Sequence, residues 1–356
     1  MKLIVLFAVM IFFTLFIIGC TDNSVQPITV PTVYDSTNYA ATVTAEKSLI
    51  QQHQAFVNLI KTGRTNGTVV DYATALTAMQ AHLSEANDSL KVVLPLYLQE
   101  LSKASGNVFD PFAINQTHGG TYGGYLFDEN GLELEQILDK SAYMGMFYHK
   151  ASRMSVTSES MHKLIALFGA TPRFSNSDKS TLSADILSAA YAARRDNNDG
   201  NGLYMTFKKS IISMQAHQKA GSEYINETLF ERKSALLAWE KAIMATVVNY
   251  CFAAHAKFTM TNPQASDNGA GLHAVSENIG FISGLRGISE KKITTLQIEE
   301  LLALLQTKKP MVFITDAFTN APALLQVIAR IKSIYGFSDQ EIEDFKVNWV
   351  TTQNRQ

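Results

Sequence analysis

Apolar residues recur three and four positions apart along most of this chain, a period that places them on one face of an α-helix. Leu49, His53, Phe56 and Ile60 form one such face, ending near Gly63; Tyr72, Leu76 and Met79 form a second, and Leu90, Leu94, Tyr97 and Leu101 a third, which Pro95 either kinks or starts. The same period predicts helices over 132–154, 158–168, 183–194, 206–228, 230–257, 272–284, 296–305 and 321–335. Asn320, Pro322 and Gly336 frame the last of these as cap, first turn and stop, and Ser338 to Glu341 reads as the capping box of a closing helix. Only short runs such as Met311-Val312-Phe313-Ile314 look strand-like. The expected fold is therefore all-α, built of long up-and-down helices in two bundles over 40–176 and 177–350. The polar stretch 175–183 is the seam. A long glycine- and aromatic-rich segment without a period, 107–130, is an irregular crossover.

The amino terminus breaks this pattern. Lys2 precedes an unbroken apolar run from Leu3 to Ile18, then Gly19-Cys20 and the polar Thr21-Asp22-Asn23-Ser24. This is the layout of a secretory signal over 1–19. Ile17-Ile18-Gly19-Cys20 resembles the lipobox of bacterial lipoproteins, which makes Cys20 the lipid-bearing first residue of the mature chain. Residues 20–39, with Pro27, Pro31 and many small polar side chains, read as a spacer above the membrane. The expected location is the bacterial cell envelope, on the periplasmic or surface face of the outer membrane.

Composition narrows the function. There are two cysteines, so with Cys20 lipidated Cys251 has no disulfide partner, and its apolar setting predicts an inert core thiol. Lys plus Arg number 30 against 32 Asp plus Glu, with no basic run, which argues against nucleic acid. No His-Glu-x-x-His, Gly-x-Ser-x-Gly or phosphate-loop motif occurs, so no standard hydrolase or nucleotide site is nominated. The loop 196–202 is rich in Asp and Asn, but Gly200 stands where a calcium loop needs an oxygen ligand, so turns are expected there.

The most suggestive cluster is Gly271-Leu272-His273-Ala274-Val275-Ser276-Glu277, which places His273 and Glu277 four apart on one helix face. Such a pair either shares a divalent metal, iron or zinc, or hydrogen-bonds at a helix interface. A metal needs further ligands from other helices, and His149, His255 and Glu240 are candidates by residue type.

Several segments together resemble the DUF4856 group of Bacteroidetes lipoproteins, related to imelysin-like proteins. They are Pro31-Thr32-Val33-Tyr34, Asp139 to Gly145, Leu167-Phe168-Gly169, Ala238 to Ala242, and His273 through Ser276-Glu277 to Gly280-Phe281. The resemblance implies two bundle-like halves and an association with iron uptake or with peptidase-like proteins. The imelysin-like Gly-x-His-x-x-Glu pattern is matched by Gly271 and His273, but Ser276 takes the place of the carboxylate, which follows at Glu277. The leading expectation is a non-enzymatic, membrane-anchored binding protein serving iron or haem acquisition, or docking another envelope protein. The alternatives are a metal-dependent hydrolase with Glu277 as general base and a structural envelope protein without a ligand.

Overall fold

The computed structural model describes residues 26–113, 116–178 and 184–355. The signal segment and Cys20 lie outside the described residues. The helices are α1 (Thr44–Lys61), α2 (Tyr72–Leu83), α3 (Asp88–Ala104), α4 (Leu134–Ala142), α5 (Ser158–Phe168), α6 (Leu187–Arg195), α7 (Leu203–Ala220), α8 (Ile225–Phe258), α9 (Ala265–Ser283), α10 (Thr295–Leu304) and α11 (Pro322–Tyr335), with shorter turns between them. The all-α expectation holds, and among the described residues no helix is long and apolar enough to cross a membrane.

Local chemistry sets most boundaries. Asn87 caps α3 by accepting the Leu90 N–H at 3.0 Å, so Pro95 lies inside that helix and forfeits one backbone bond. Gly169 ends α5 at φ +97° and Gly336 ends α11 at φ +66°, conformations that favour glycine. The helix expected over 206–228 is broken at Gly221, whose φ of +139° ends α7 and starts a new direction into α8.

Two expectations about irregular chain are corrected. Residues 107–130 are not shapeless: Gly120–Tyr122 and Tyr125–Phe127 pair antiparallel as β1 and β2. Gly123 and Gly124 have φ of +56° and +92°, the two-residue turn that matches strand twist. The turn presses on the start of α9, where a Cβ on Gly123 would stand 2.2 Å from the Ala265 carbonyl oxygen. Conversely, Val312–Thr315 is a helical turn. Among the described residues no strand lies beside it to pair with, and Phe313 is buried and stacks on Phe258 at 5.4 Å.

Helix α8 is the long axis of the fold, 34 residues or about 50 Å. Helices α7, α9 and α11 pack along it, and α4 packs on the far side of α9. One apolar cluster runs from Leu49 in α1 to Ile331 in α11, so both halves of the chain share a core. Asn87 joins them directly: its N–H donates to the Gly145 carbonyl at 2.7 Å and its side-chain amide to the Gly284 carbonyl at 3.2 Å.

The polar stretch expected at the seam is, in its described part, built into the body. Ser175 and the Ser177 N–H donate to Asp185 at 2.9 and 2.6 Å, and Arg355 from the carboxyl end donates to the Asn176 carbonyl at 2.7 Å. The spacer expected through residue 39 also ends sooner, because the buried Tyr34 places its hydroxyl 2.8 Å from His162 Nδ1 and the Asp35 N–H donates to Gln215 at 2.8 Å.

Helix α4 is buried on every face although it carries Glu135, Gln136, Asp139 and Lys140. It lies against α9 at glycine contacts: a Cβ on Gly280 would stand 2.8 Å from the Gln136 carbonyl oxygen, and one on Gly284 2.4 Å from that of Ser141. Because the obstructing atoms are backbone, Gly284→Ala is expected to destabilise by about 2 kcal/mol. A denaturant midpoint equal to wild type would refute this contact.

Candidate functional site

The close approach of α4 and α9 determines which charges meet. Glu133, just before α4, anchors its own N–H on Ser276 Oγ at 2.9 Å. Its carboxylate divides between Arg64, at 2.7 Å from Nη2, and His273, at 2.6 Å from Nδ1. The other imidazole nitrogen of His273 stands 3.5 Å from Glu277, one turn on. Tyr125 of β2 stacks on the imidazole at 4.6 Å and also carries the Arg64 guanidinium 5.0 Å from its ring centre. Arg64 is further hydrogen-bonded through Nε to Glu135.

The network continues inward. Glu277 Oε1 lies 3.4 Å from Lys140 Nζ and takes a hydrogen bond of 3.4 Å from the Tyr191 hydroxyl. Lys140 Nζ is 2.6 Å from Asp139 and sits over the rings of Tyr143 and Tyr191 at 5.3 and 5.4 Å. Asp139 in turn lies 3.0 Å from His53 Nε2 of α1.

These distances set the protonation states. Burial opposes charge on His273, but the Glu133 carboxylate, by charge and hydrogen bond, and then Glu277 hold its pKa above the ordinary value. Burial likewise opposes charge on Lys140, and Asp139 above all outweighs it. The Glu135 carboxyl is pushed up to about 7 by burial and by the neighbouring Glu133, which Arg64 only partly offsets. The side chains of Glu133, Asp139 and Glu277 thus lie against Arg64, Lys140 and His273.

The sequence-nominated residues therefore separate. His273 and Glu277 do meet. Glu240, by contrast, accepts the Lys292 N–H at 2.9 Å, the Ile293 N–H at 3.1 Å and the Tyr335 hydroxyl at 2.7 Å. His255 is fifteen positions further along α8, about 22 Å from Glu240, so one ion cannot touch both. His149 is held beside Arg153 and Lys91, and burial followed by those cations lowers its pKa. Among the described residues no three His, Cys, Asp or Glu side chains stand where they could hold a metal ion. Glu133 and Glu277 lie on opposite nitrogens of His273, and an ion at the Glu277 side would have two protein ligands and the Lys140 ammonium as a neighbour. The residues present do not fit a catalytic or structural zinc, which needs three or four ligands. The chain matches no protein-family model, no curated protein and no solved structure.

The Asp/Asn-rich loop, Cys251 and the nearby Arg286 have local roles. Asp196 accepts the Asn198 N–H at 2.7 Å and the Tyr204 N–H at 3.1 Å, so the Asp/Asn-rich loop is a run of side-chain turns leading into α7. Arg286 forms a two-pronged pair with Glu299 at 2.7 and 2.6 Å. Cys251 is buried, burial pushes its thiol pKa well up, and it accepts from Asn278 at 3.3 Å, which makes it an inert core residue.

Sequence reasoning missed Arg64, Glu133, Glu135, Asp139, Lys140 and Tyr125. No local signal marked them: Glu135, Gln136, Asp139 and Lys140 share one face of that helix, opposite Leu134, Ile137 and Leu138, which is the pattern of a helix with one side in water.

Proposed function

We propose that the protein is an extracytoplasmic binding lipoprotein, held at a membrane by lipid on Cys20, whose helical body captures a ligand without turning it over. The observation that carries this reading is that the His273–Glu277 pair, the best catalytic candidate in the sequence, is closed on itself. A general base must aim a free lone pair at substrate. Glu277 is 4% exposed, and its two oxygens are occupied by Lys140 and Tyr191 on one side and His273 on the other. Five clefts on the surface of the described residues are lined by other residues. The lipobox at Ile17-Ile18-Gly19-Cys20 supports the anchor. From Cys20 to the docked Tyr34 an extended chain reaches about 45 Å, enough to hold the body clear of headgroups.

Metabolic labelling with a radioactive fatty acid tests the anchor. Wild type is expected to take the label and to sediment with membranes, and Cys20→Ser to do neither. Label that persists in Cys20→Ser, or an unlabelled wild type, would overturn it. Hydrolysis of a peptide library by the mature protein, diminished in Glu277→Gln, would overturn the non-enzymatic part.

A further inference from the structure

The binding-protein reading leaves the ligand open, and a second site addresses it. A cleft of about 530 Å³ opens between the start of α1, the end of α2 and the turn leading into α5, a size ordinary for a small-molecule site. Glu46, in the first turn of α1, lines it and is 2% exposed. Its Oε2 is buried and has no hydrogen-bond partner among the described residues. No cation lies in salt-bridge range of it there, although Lys150, Arg153 and Lys163 line the same cleft. Lys150 is engaged with Glu85 at 3.0 Å. Arg153 and Lys163 have no ion pair among the described residues, and Arg153 is exposed at the rim. Glu159, also exposed, is the remaining carboxylate of the lining.

A buried carboxylate without a partner is costly, and native proteins keep such groups where something else satisfies them. A ligand for this cleft must bring a hydrogen-bond donor with positive charge to the depth and negative charge to the rim. A metal ion suits it poorly, since of its two carboxylates without an ion pair among the described residues, Glu46 and Glu159, only Glu46 is buried, and three cations line the same cleft. An ammonium group suits it well, because it brings to Glu46 Oε2 both the N–H donor and the positive charge that this buried oxygen lacks among the described residues. We infer that this cleft binds the free amino terminus of a short peptide, with the ammonium at Glu46 and the terminal carboxylate at Arg153 and Lys163. The buried anion and the exposed Arg153, with Lys163 half-buried, favour charges several bonds apart over the adjacent charges of a single amino acid.

The inference rests on the binding-protein reading, and its test is independent of the lipid label. Trialanine is titrated by calorimetry into the mature protein purified from membranes in detergent. Wild type is expected to bind it. N-acetyl-trialanine and the Glu46→Gln variant should each weaken binding about ten- to hundredfold, the loss of one charge-assisted buried contact. Trialanine amide should weaken it only a few-fold, because the rim pairing is exposed. Without peptide, Glu46→Gln should raise Tm, since it replaces a buried carboxylate whose Oε2 has no hydrogen-bond partner among the described residues; this also shows that the variant folds. Absence of binding at about 10 mM trialanine, binding indifferent to N-acetylation, or a lower Tm in Glu46→Gln would each overturn the proposal.

Discussion

Lys140→Met is expected to lose about 3–5 kcal/mol of stability, the cost of removing one partner from a buried ionic network. Methionine fills much of the same volume, so packing is nearly kept and the effect isolates the charge. What remains is the Asp139 carboxylate with His53 as its other ion-pair partner and Glu277 with one cation fewer, both in a region closed to water. Chemical denaturation with an unchanged slope checks this, and a loss under about 1 kcal/mol would place the network in the class of surface pairs. Adding Asp139→Asn to Lys140→Met should recover part of the loss, because the second change removes the anion that the first one orphaned.

The second large effect is on pH. Glu135 and Asp128 carry pKa values pushed up to about 7, in both cases by burial first. Between about pH 4.5 and pH 7 the folded chain keeps protons that the unfolded chain has released, so stability falls as pH rises across that window. His273 acts in the same direction. Its raised pKa gives stability that is fully present below the unfolded value of about 6.5 and is lost as pH climbs through the folded value. Asp139 is held far below the usual carboxylate range, mainly by Lys140 and His53 against its burial, so its contribution is lost only in strong acid. The expected outcome is a Tm highest near about pH 5, with stability lower by on the order of 5 kcal/mol at about pH 8. Glu135→Gln, which mimics the protonated acid, should raise Tm at the alkaline end and flatten the slope. A profile that rises from acid to alkaline pH would contradict these assignments.

Much of the fold was legible in the residue pattern because amphipathic helices reveal themselves locally. The faces of α1 and α3, the capping boxes and the glycine stops each depend on residues within a turn or two of one another. The hairpin at Gly123-Gly124 was legible in principle, but flanking strands of three residues are too short for alternation to stand out. Pairing across sequence was beyond local reading. Glu133 meets His273 across 140 positions, and its partner could have been any basic residue until the Gly280 and Gly284 contacts put α4 against α9.

His273 and Glu277 show the division clearly. Their shared helix face followed from spacing alone, as did the helical class of the whole chain, since both depend on the 3.6-residue repeat. Whether the pair would be an open site or a closed one depended on what the opposing helix carried. Tertiary packing placed Glu133 on one imidazole nitrogen and Lys140 behind Glu277, which made the pair part of a buried ionic network. It also left Glu46, unremarkable in sequence, buried beside a cleft with its Oε2 unpartnered among the described residues. Burial and partnership are properties of surfaces brought together, and no local pattern encodes them.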